Sequence, residues 1–131
     1  MKESMSPAAF LDADELPLRG IKVLELSHMI MGPITGMVLA DLGAEVIKVE
    51  PIEGDNTRRL KGSGIGYFPV FNRNKQSLAV DLKSEDGQAV VRQLALQADM
   101  LLENFRDGGL AQYGLDYATL SADNPGLIYI S

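Results

Sequence analysis

Residues 21–50 read IKVLELSHMIMGPITGMVLADLGAEVIKVE and decide the fold. The first six form an apolar run of strand length, and residues 45–50 form a second one. Between them, Pro33 suits the first turn of a helix and Gly43 suits the position just past its C-terminal end. A strand, a helix and a strand in this order make a βαβ unit, so the two strands are predicted to be parallel neighbours.

The alternation resumes in the second half of the chain. Strands are predicted at residues 78–82, 99–105 and 127–131, and short helices at residues 109–113 and 117–121, the second of them capped by Asp116. Ser84 is predicted to cap a further helix, whose buried face carries Val90, Val91, Leu94 and Ala98. Five strands alternating with helices predict an α/β protein with a doubly wound, mostly parallel, Rossmann-like sheet.

The remaining segments lack a regular pattern. Residues 51–77 are rich in glycine and polar residues, which predicts a long functional loop with one helical turn near residues 57–60. Residues 1–17 are predicted to be a poorly ordered leader, and residues 18–131 form the portion with the alternating pattern.

Composition describes a globular protein and excludes several classes. The 131 residues are 46% hydrophobic and 23% charged, with a net charge of −6, which argues against nonspecific binding to nucleic acid. There is no cysteine and one histidine, which excludes thiolate sites and metal sites that need two imidazoles. The N-terminal residues have no continuous apolar region, and residues 29–40 are too short and too interrupted to span a bilayer. A cytoplasmic protein is expected.

Ligand-binding positions follow from the predicted sheet. In doubly wound sheets, ligands lie beyond the carboxyl ends of the strands. Here these positions are residues 27–31, 50–59, 81–83 and 103–107. Lys83 can meet a phosphate as a point charge, and Asn104 and Phe105 offer hydrogen-bonding groups and a stacking face.

A basic segment offers a second candidate. Residues 56–80 contain five basic residues and no acidic one, in a chain that is acidic overall. Aromatic residues are interleaved with them, and such a segment is typical either of a loop that contacts an anionic ligand or of a solvated loop. The basic residues are Arg58, Arg59, Lys61, Arg73 and Lys75.

An NAD-binding enzyme is one alternative. Glu50, at the end of the second strand, occupies the place of a ribose-binding acid. The first βα turn has one glycine and lacks the G-x-G-x-x-G pattern, and the glycine-rich residues 62–66 follow no strand and open no helix. NAD binding is therefore disfavoured, and His28 fits a structural role better than that of a general base.

Taken together, several ordered motifs resemble the family III CoA-transferases, which include formyl-CoA transferase, carnitine CoA-transferase and α-methylacyl-CoA racemase. The resemblance covers residues 18–131. It is carried by residues 18–26, Gly32-Pro33, residues 39–51, Gly54-Asp55, Thr57-Arg58, residues 72–77, Asp81-Leu82-Lys83, residues 99–106 and residues 124–129.

The resemblance implies the N-terminal part of the large, Rossmann-like domain of a longer enzyme, which forms interlocked homodimers. It implies no permanently bound cofactor: coenzyme A or acyl-CoA is a substrate, and a carboxylic acid is the acceptor. In the transferases an aspartate attacks the acyl-CoA and gives an enzyme-bound anhydride and free CoA thiolate. That aspartate, like the His and Asp pair of the racemases, would lie after residue 131, so the isolated chain is expected to be inactive.

The resemblance also assigns CoA-binding residues, which fall at the strand ends already selected. Two departures weaken an oxalate or formyl assignment: Ile30 replaces a glutamine of the formyl-CoA transferases, and Gln112 stands where they have an arginine. A racemase-type enzyme and a non-catalytic nucleotide-binding or assembly module remain alternatives. The implied CoA contacts are Met29, Ile30, Val80, Lys83, Asn104, Phe105 and Arg106.

Overall fold

Within the described part of the chain, five parallel strands form one sheet in the order β3-β2-β1-β4-β5. A computed structural model describes residues 15–131, so the predicted leader lies almost wholly outside the described residues. The strands are β1 (Lys22–Leu26), β2 (Glu45–Glu50), β3 (Gln76–Ala79), β4 (Met100–Glu103) and β5 (Ile128–Ile130). The helices are α1 (Met31–Asp41), α2 (Tyr67–Phe71), α3 (Glu85–Gln97) and α4 (Tyr117–Asp123). This order and the parallel pairing confirm the predicted Rossmann-like α/β fold.

The unit β1-α1-β2 is built as the sequence predicts. Pro33 lies in the first turn of α1, where its missing N–H has no helical partner to lose. Gly43 follows the helix with φ +101°, a conformation that L side chains rarely adopt. A Cβ there would also lie 2.6 Å from the Leu16 Cβ, so the tight turn into β2 needs glycine.

The segment between β2 and β3 holds more structure than predicted. It contains the short helix α2 as well as 3-10 turns at Asn56–Arg59 and Gly62–Gly64. β3 covers Gln76–Ala79, so the strand predicted at residues 78–82 begins and ends too late in the sequence. β3 is an edge strand in which Gln76 and Ser77 are exposed. Because edge strands often carry polar residues, a search for an apolar run does not detect the start of β3.

The second half confirms the predicted elements with adjusted ends. The Ser84 hydroxyl accepts a hydrogen bond from the Gly87 N–H and caps α3. Val90 was wrongly assigned to the buried face, since its side chain is 46% exposed and the helix buries Val91 and Ala95 instead. The predicted helix at residues 109–113 is a 3-10 turn at Ala111–Tyr113.

Two apolar clusters fill the layers on either side of the sheet. Leu24 and Leu26 of β1 belong to the larger cluster with Leu101 and Val91, and Val23 belongs to the smaller one with Ala40. Successive residues of β1 thus point to opposite layers, as expected for a strand covered on both faces. Within the described residues, no helix has the length and apolar character needed to cross a membrane.

Candidate functional site

A cleft of about 560 Å³ lies beyond the carboxyl ends of the strands. Its size falls in the range of small-molecule sites, and most of its lining is apolar. β1 and β2 contribute Leu26, Val49 and Glu50 to its lining, and the loops after β2, β3 and β4 supply most of the rest. Residues that line it include Val49, Pro51, Val80, Lys83, Phe105 and Tyr113. This is the place where a doubly wound sheet binds its ligands.

Three of the seven candidate CoA contacts line this cleft. Val80 is buried at its floor, Phe105 is 40% exposed in its wall, and Lys83 is exposed at its rim. Within the described residues, Lys83 Nζ has no carboxylate within ion-pair distance, so its charge is available to a ligand. The Lys83 main-chain N–H donates to the Asp81 carboxylate at 2.9 Å, which fixes the start of the loop.

The other four candidates lie around the cleft. Met29 and Ile30 form the turn between β1 and α1, and Asn104 binds the main chain of that turn. Arg106 lines a separate cavity of about 210 Å³ beside the carboxyl ends of β4 and β5. The structure therefore brings the seven residues to one edge of the sheet and divides them between two cavities and a turn.

Glu50 does not have the free oxygens that an NAD ribose requires. Its side chain is buried, and both oxygens accept hydrogen bonds from Arg58 and from two further groups, the Asp55 N–H and the Ser77 hydroxyl. Burial alone raises the pKa of Glu50, but these hydrogen bonds outweigh it and hold the pKa at about 2. The carboxylate fixes its own loop, which removes the one feature that favoured NAD.

Most cations of the basic segment are paired within the chain, which weakens the alternative of a loop that contacts an anionic ligand. Arg58 pairs with Glu50, Arg73 pairs with Asp41, and Lys75 pairs with Glu25. Arg59 donates to the carbonyl of Glu53 and to Asn56. The acidic partners lie outside residues 56–80. Counting charges along the sequence therefore does not show the ion pairs that the fold forms.

A buried charge network supports the site and was missed by the sequence analysis. Glu25 of β1 and Lys48 of β2 are neighbours in the sheet register, and both side chains are almost fully buried. Lys48 Nζ lies 3.3 Å from Glu25 Oε1 and 3.2 Å from Asp55 Oδ2. Lys75 Nζ lies 2.7 Å from Glu25 Oε2, so two carboxylates meet two ammonium groups.

A sequence signal for this network existed. Glu25 and Lys48 each interrupt an apolar run that predicts a strand buried on both faces, and a buried charge requires an opposite charge. Two such interruptions of opposite sign in neighbouring strands predict a pair. The contribution of Lys75 could not be predicted this way, because it depends on the path of the segment between β2 and β3.

The sheet order and the cleft define a Rossmann-like α/β protein with a ligand site at the carboxyl edge of its sheet. Residues 18–131 match CoA-transferase family III, and the chain belongs to this family.

Relatives of known activity support the same placement. The chain is 45% identical over 126 residues to a succinate–glutarate CoA-transferase of Agrobacterium fabrum. The matched region covers 88% of this chain and 32% of that protein. It is 42% identical over 120 residues to the human succinyl-CoA:glutarate CoA-transferase, and this match covers 88% of this chain and 27% of the human protein. The chain thus spans about a third of the length of these relatives.

Solved structures agree with the fold. A CaiB/BaiF family protein from Brucella suis has a TM-score of 0.80 and 48% identity, with 86% of this chain and 32% of that chain covered. A putative betaketoacyl-ACP reductase has a TM-score of 0.53 at 18% identity, which shows a shared fold and nothing more. The parallel sheet is therefore shared beyond the family, whereas the sequence motifs are those of the family.

Proposed function

We propose that this chain is the N-terminal, CoA-binding portion of an acyl-CoA transferase that moves CoA between carboxylic acids. The observation that carries the proposal is the 560 Å³ cleft, which lies at the carboxyl edge of the sheet in a member of CoA-transferase family III. Its apolar floor and its free cation at Lys83 suit a ligand with a long uncharged body and phosphate groups.

Each candidate has a part in the proposed site. Phe105 offers an exposed aromatic face on which a base can stack, and Val80 closes the floor beneath it. Lys83 lines the cleft and Arg106 lines the neighbouring cavity, and both exposed cations suit the phosphates of CoA. Met29 and Ile30 place the turn before α1 against the ligand, and Asn104 joins that turn to the loop carrying Phe105.

The proposed chemistry of the whole enzyme proceeds through an aspartate after residue 131. The aspartate oxygen attacks the thioester carbonyl carbon, the C–S bond breaks, and CoA leaves as a thiolate while a mixed anhydride remains on the enzyme. The partners in this proposal are an acyl-CoA, a carboxylic acid acceptor and a second copy of the full-length chain. We propose a cytoplasmic location, and we expect the 131-residue chain by itself to bind CoA and to turn over no acyl-CoA.

Calorimetric titration of CoA into the chain tests the proposal. The double variant Lys83→Ala, Arg106→Ala is expected to bind CoA at least about tenfold more weakly, because it removes two charge-assisted contacts to phosphates. Lys22→Ala is the matched control, since it removes an exposed lysine at the opposite, amino edge of the sheet. It is expected to bind as the unaltered chain does.

Two results would count against the proposal. Equal binding by the double variant and the unaltered chain would overturn the site assignment. Tighter binding of NAD than of CoA would overturn the ligand class. Raising the salt concentration is expected to narrow the gap between the double variant and the unaltered chain, since exposed charges are screened.

A further inference from the structure

One side chain joins the turn after β1 to the loop after β4. The Asn104 Oδ1 accepts a hydrogen bond from the His28 main-chain N–H at 2.9 Å, and the Asn104 Nδ2 donates to the His28 carbonyl oxygen at 2.8 Å. The pairing of β1 with β4 ends at Leu26 and Glu103. The amide of Asn104 therefore extends the hydrogen bonding of the sheet beyond its last residue pair, in place of a main-chain partner.

The residue after His28 has an uncommon conformation. Met29 has φ +65°, a region that residues with a Cβ enter at a cost. Such a conformation persists where the surroundings impose it. Here the preceding residues are fixed on both sides, since the buried Lys48 Nζ also donates to the Ser27 carbonyl oxygen at 2.6 Å.

Helix α1 leaves space for this arrangement at one position. A Cβ on Gly32 would lie 2.4 Å from the Ser27 Cβ and 3.1 Å from the Asn104 Cγ. The first distance is too short for a real contact, so a glycine at position 32 is required where the helix approaches the turn and the Asn104 side chain. The turn, the amide and the helix are thus fitted to one another.

We propose that Asn104 is a positioning residue: it holds residues 27–30 in the conformation that presents Met29 and Ile30 to CoA. The inference rests on the proposed function, because CoA is the ligand that the turn would meet. Its amide oxygen and nitrogen are engaged by His28, and its effect on the ligand passes through the turn. Phe105, the next residue, lines the cleft, and its ring centroid lies 5.5 Å from that of His28, so the same clamp joins the turn to a wall of the cleft.

A double-mutant cycle with Met29 tests this role. Asn104→Ala is expected to weaken CoA binding about tenfold, because it removes two hydrogen bonds that hold the turn. In the Met29→Gly background the same change is expected to weaken binding less than about twofold, because the Met29 side chain that the clamp presents to CoA is already absent. A direct contact between Asn104 and CoA would instead give the same loss in both backgrounds and would overturn the proposal.

Hydrogen exchange separates this inference from the proposed function. In the CoA-free chain, the His28 amide is expected to be protected, and Asn104→Ala is expected to speed its exchange at least about tenfold. Failure of the unaltered chain to bind CoA would overturn the proposed function alone, since the exchange result does not involve the ligand. Unchanged exchange in Asn104→Ala and in the milder Asn104→Gln would overturn the clamp itself.

Discussion

The loop after β2 and the turn after β1 lie at the same edge of the sheet but are held by different chemistry. Ion pairs with buried carboxylates hold the loop, with Arg58 on Glu50 and Lys48 on Asp55. Hydrogen bonds to the main chain hold the turn at His28, which is exposed to water. Loss of a buried partner leaves a charge without compensation, whereas water can satisfy an exposed main-chain group. The two regions should therefore differ in how strongly the chain responds to substitution and to pH.

The largest effect is expected from Lys75→Met, which removes one cation from the buried network. Glu25 would keep its buried charge and lose a partner at 2.7 Å. Removing one partner of a buried pair costs about 3–5 kcal/mol in the free energy of unfolding. Urea denaturation at pH 7 measures this loss as a lower transition midpoint.

Arg73→Met is the matched control for this change. Arg73 lies two residues earlier and pairs with Asp41, but both side chains are partly exposed. A surface pair contributes about 0–1 kcal/mol, so the midpoint should move little. Similar losses for the two variants would show that burial of the network does not govern stability, which contradicts the comparison.

The next largest fall in the unfolding free energy is expected on lowering the pH, because Glu50 becomes protonated. The pKa of its buried carboxyl is about 2 in the folded protein and near 4.5 without these contacts. The unfolded chain therefore binds more protons in this range, so the stabilisation is complete above pH 4.5 and is lost as the pH falls toward 2. The whole shift corresponds to roughly 3 kcal/mol, of which about 2 kcal/mol is lost between pH 6 and pH 3, measured as the change in unfolding free energy.

A variant separates Glu50 from the other carboxylates. Glu50→Gln cannot titrate, so its unfolding free energy should be lower at pH 6 and should change less between pH 6 and pH 3. The remaining change belongs to groups such as Asp55, where burial opposes ionisation but hydrogen bonds from Thr57 and the charge of Lys48 keep the pKa below its ordinary value. An unaltered acid response in Glu50→Gln would assign the effect elsewhere.

The sequence predicts the fold wherever local pattern and tertiary structure agree. Residues 21–50 contain an apolar run, a helix-starting Pro33 and a helix-ending Gly43, and each of these signals acts within a few residues. α2 was not predicted and the start of β3 was missed, because α2 is mostly aromatic, β3 begins with two polar residues, and the two elements pack against α1 and β2, respectively. Val90 was misassigned because a helical spacing alone does not say which of two neighbouring faces meets the sheet.

The candidate site likewise contains residues that the sequence predicts and contacts that it does not. Lys83 and Phe105 could be placed at the carboxyl edge of the sheet from the sequence, because the end of a parallel strand is a position in the chain as well as in space. Val80 lies inside the strand predicted at residues 78–82, and only the family resemblance selected it. The bond from Asn104 to His28 joins residues that are 76 positions apart, and no local signal marks it. The pairing of Lys75 with Glu25 was hidden for the same reason.

The smallest effect is expected at the two non-glycine residues with positive φ among the described residues, one in the turn after β1 and one just before β3. Met29, in the turn, has φ +65°, and Asn74, in the segment before β3, has φ +62°. Met29→Gly removes steric strain that slightly exceeds the entropy cost of glycine, so it should raise the unfolding free energy by about 0.5 kcal/mol. Asn74→Gly relieves less steric strain, because asparagine tolerates a positive φ. It also removes the hydrogen bond that the Asn74 side chain donates to Asp41. Its unfolding free energy should fall by about 0.5 kcal/mol, so urea denaturation should give opposite signs for the two variants. A fall in both would mean that Met29 is stabilised by its own side-chain contacts and that the turn stores no strain.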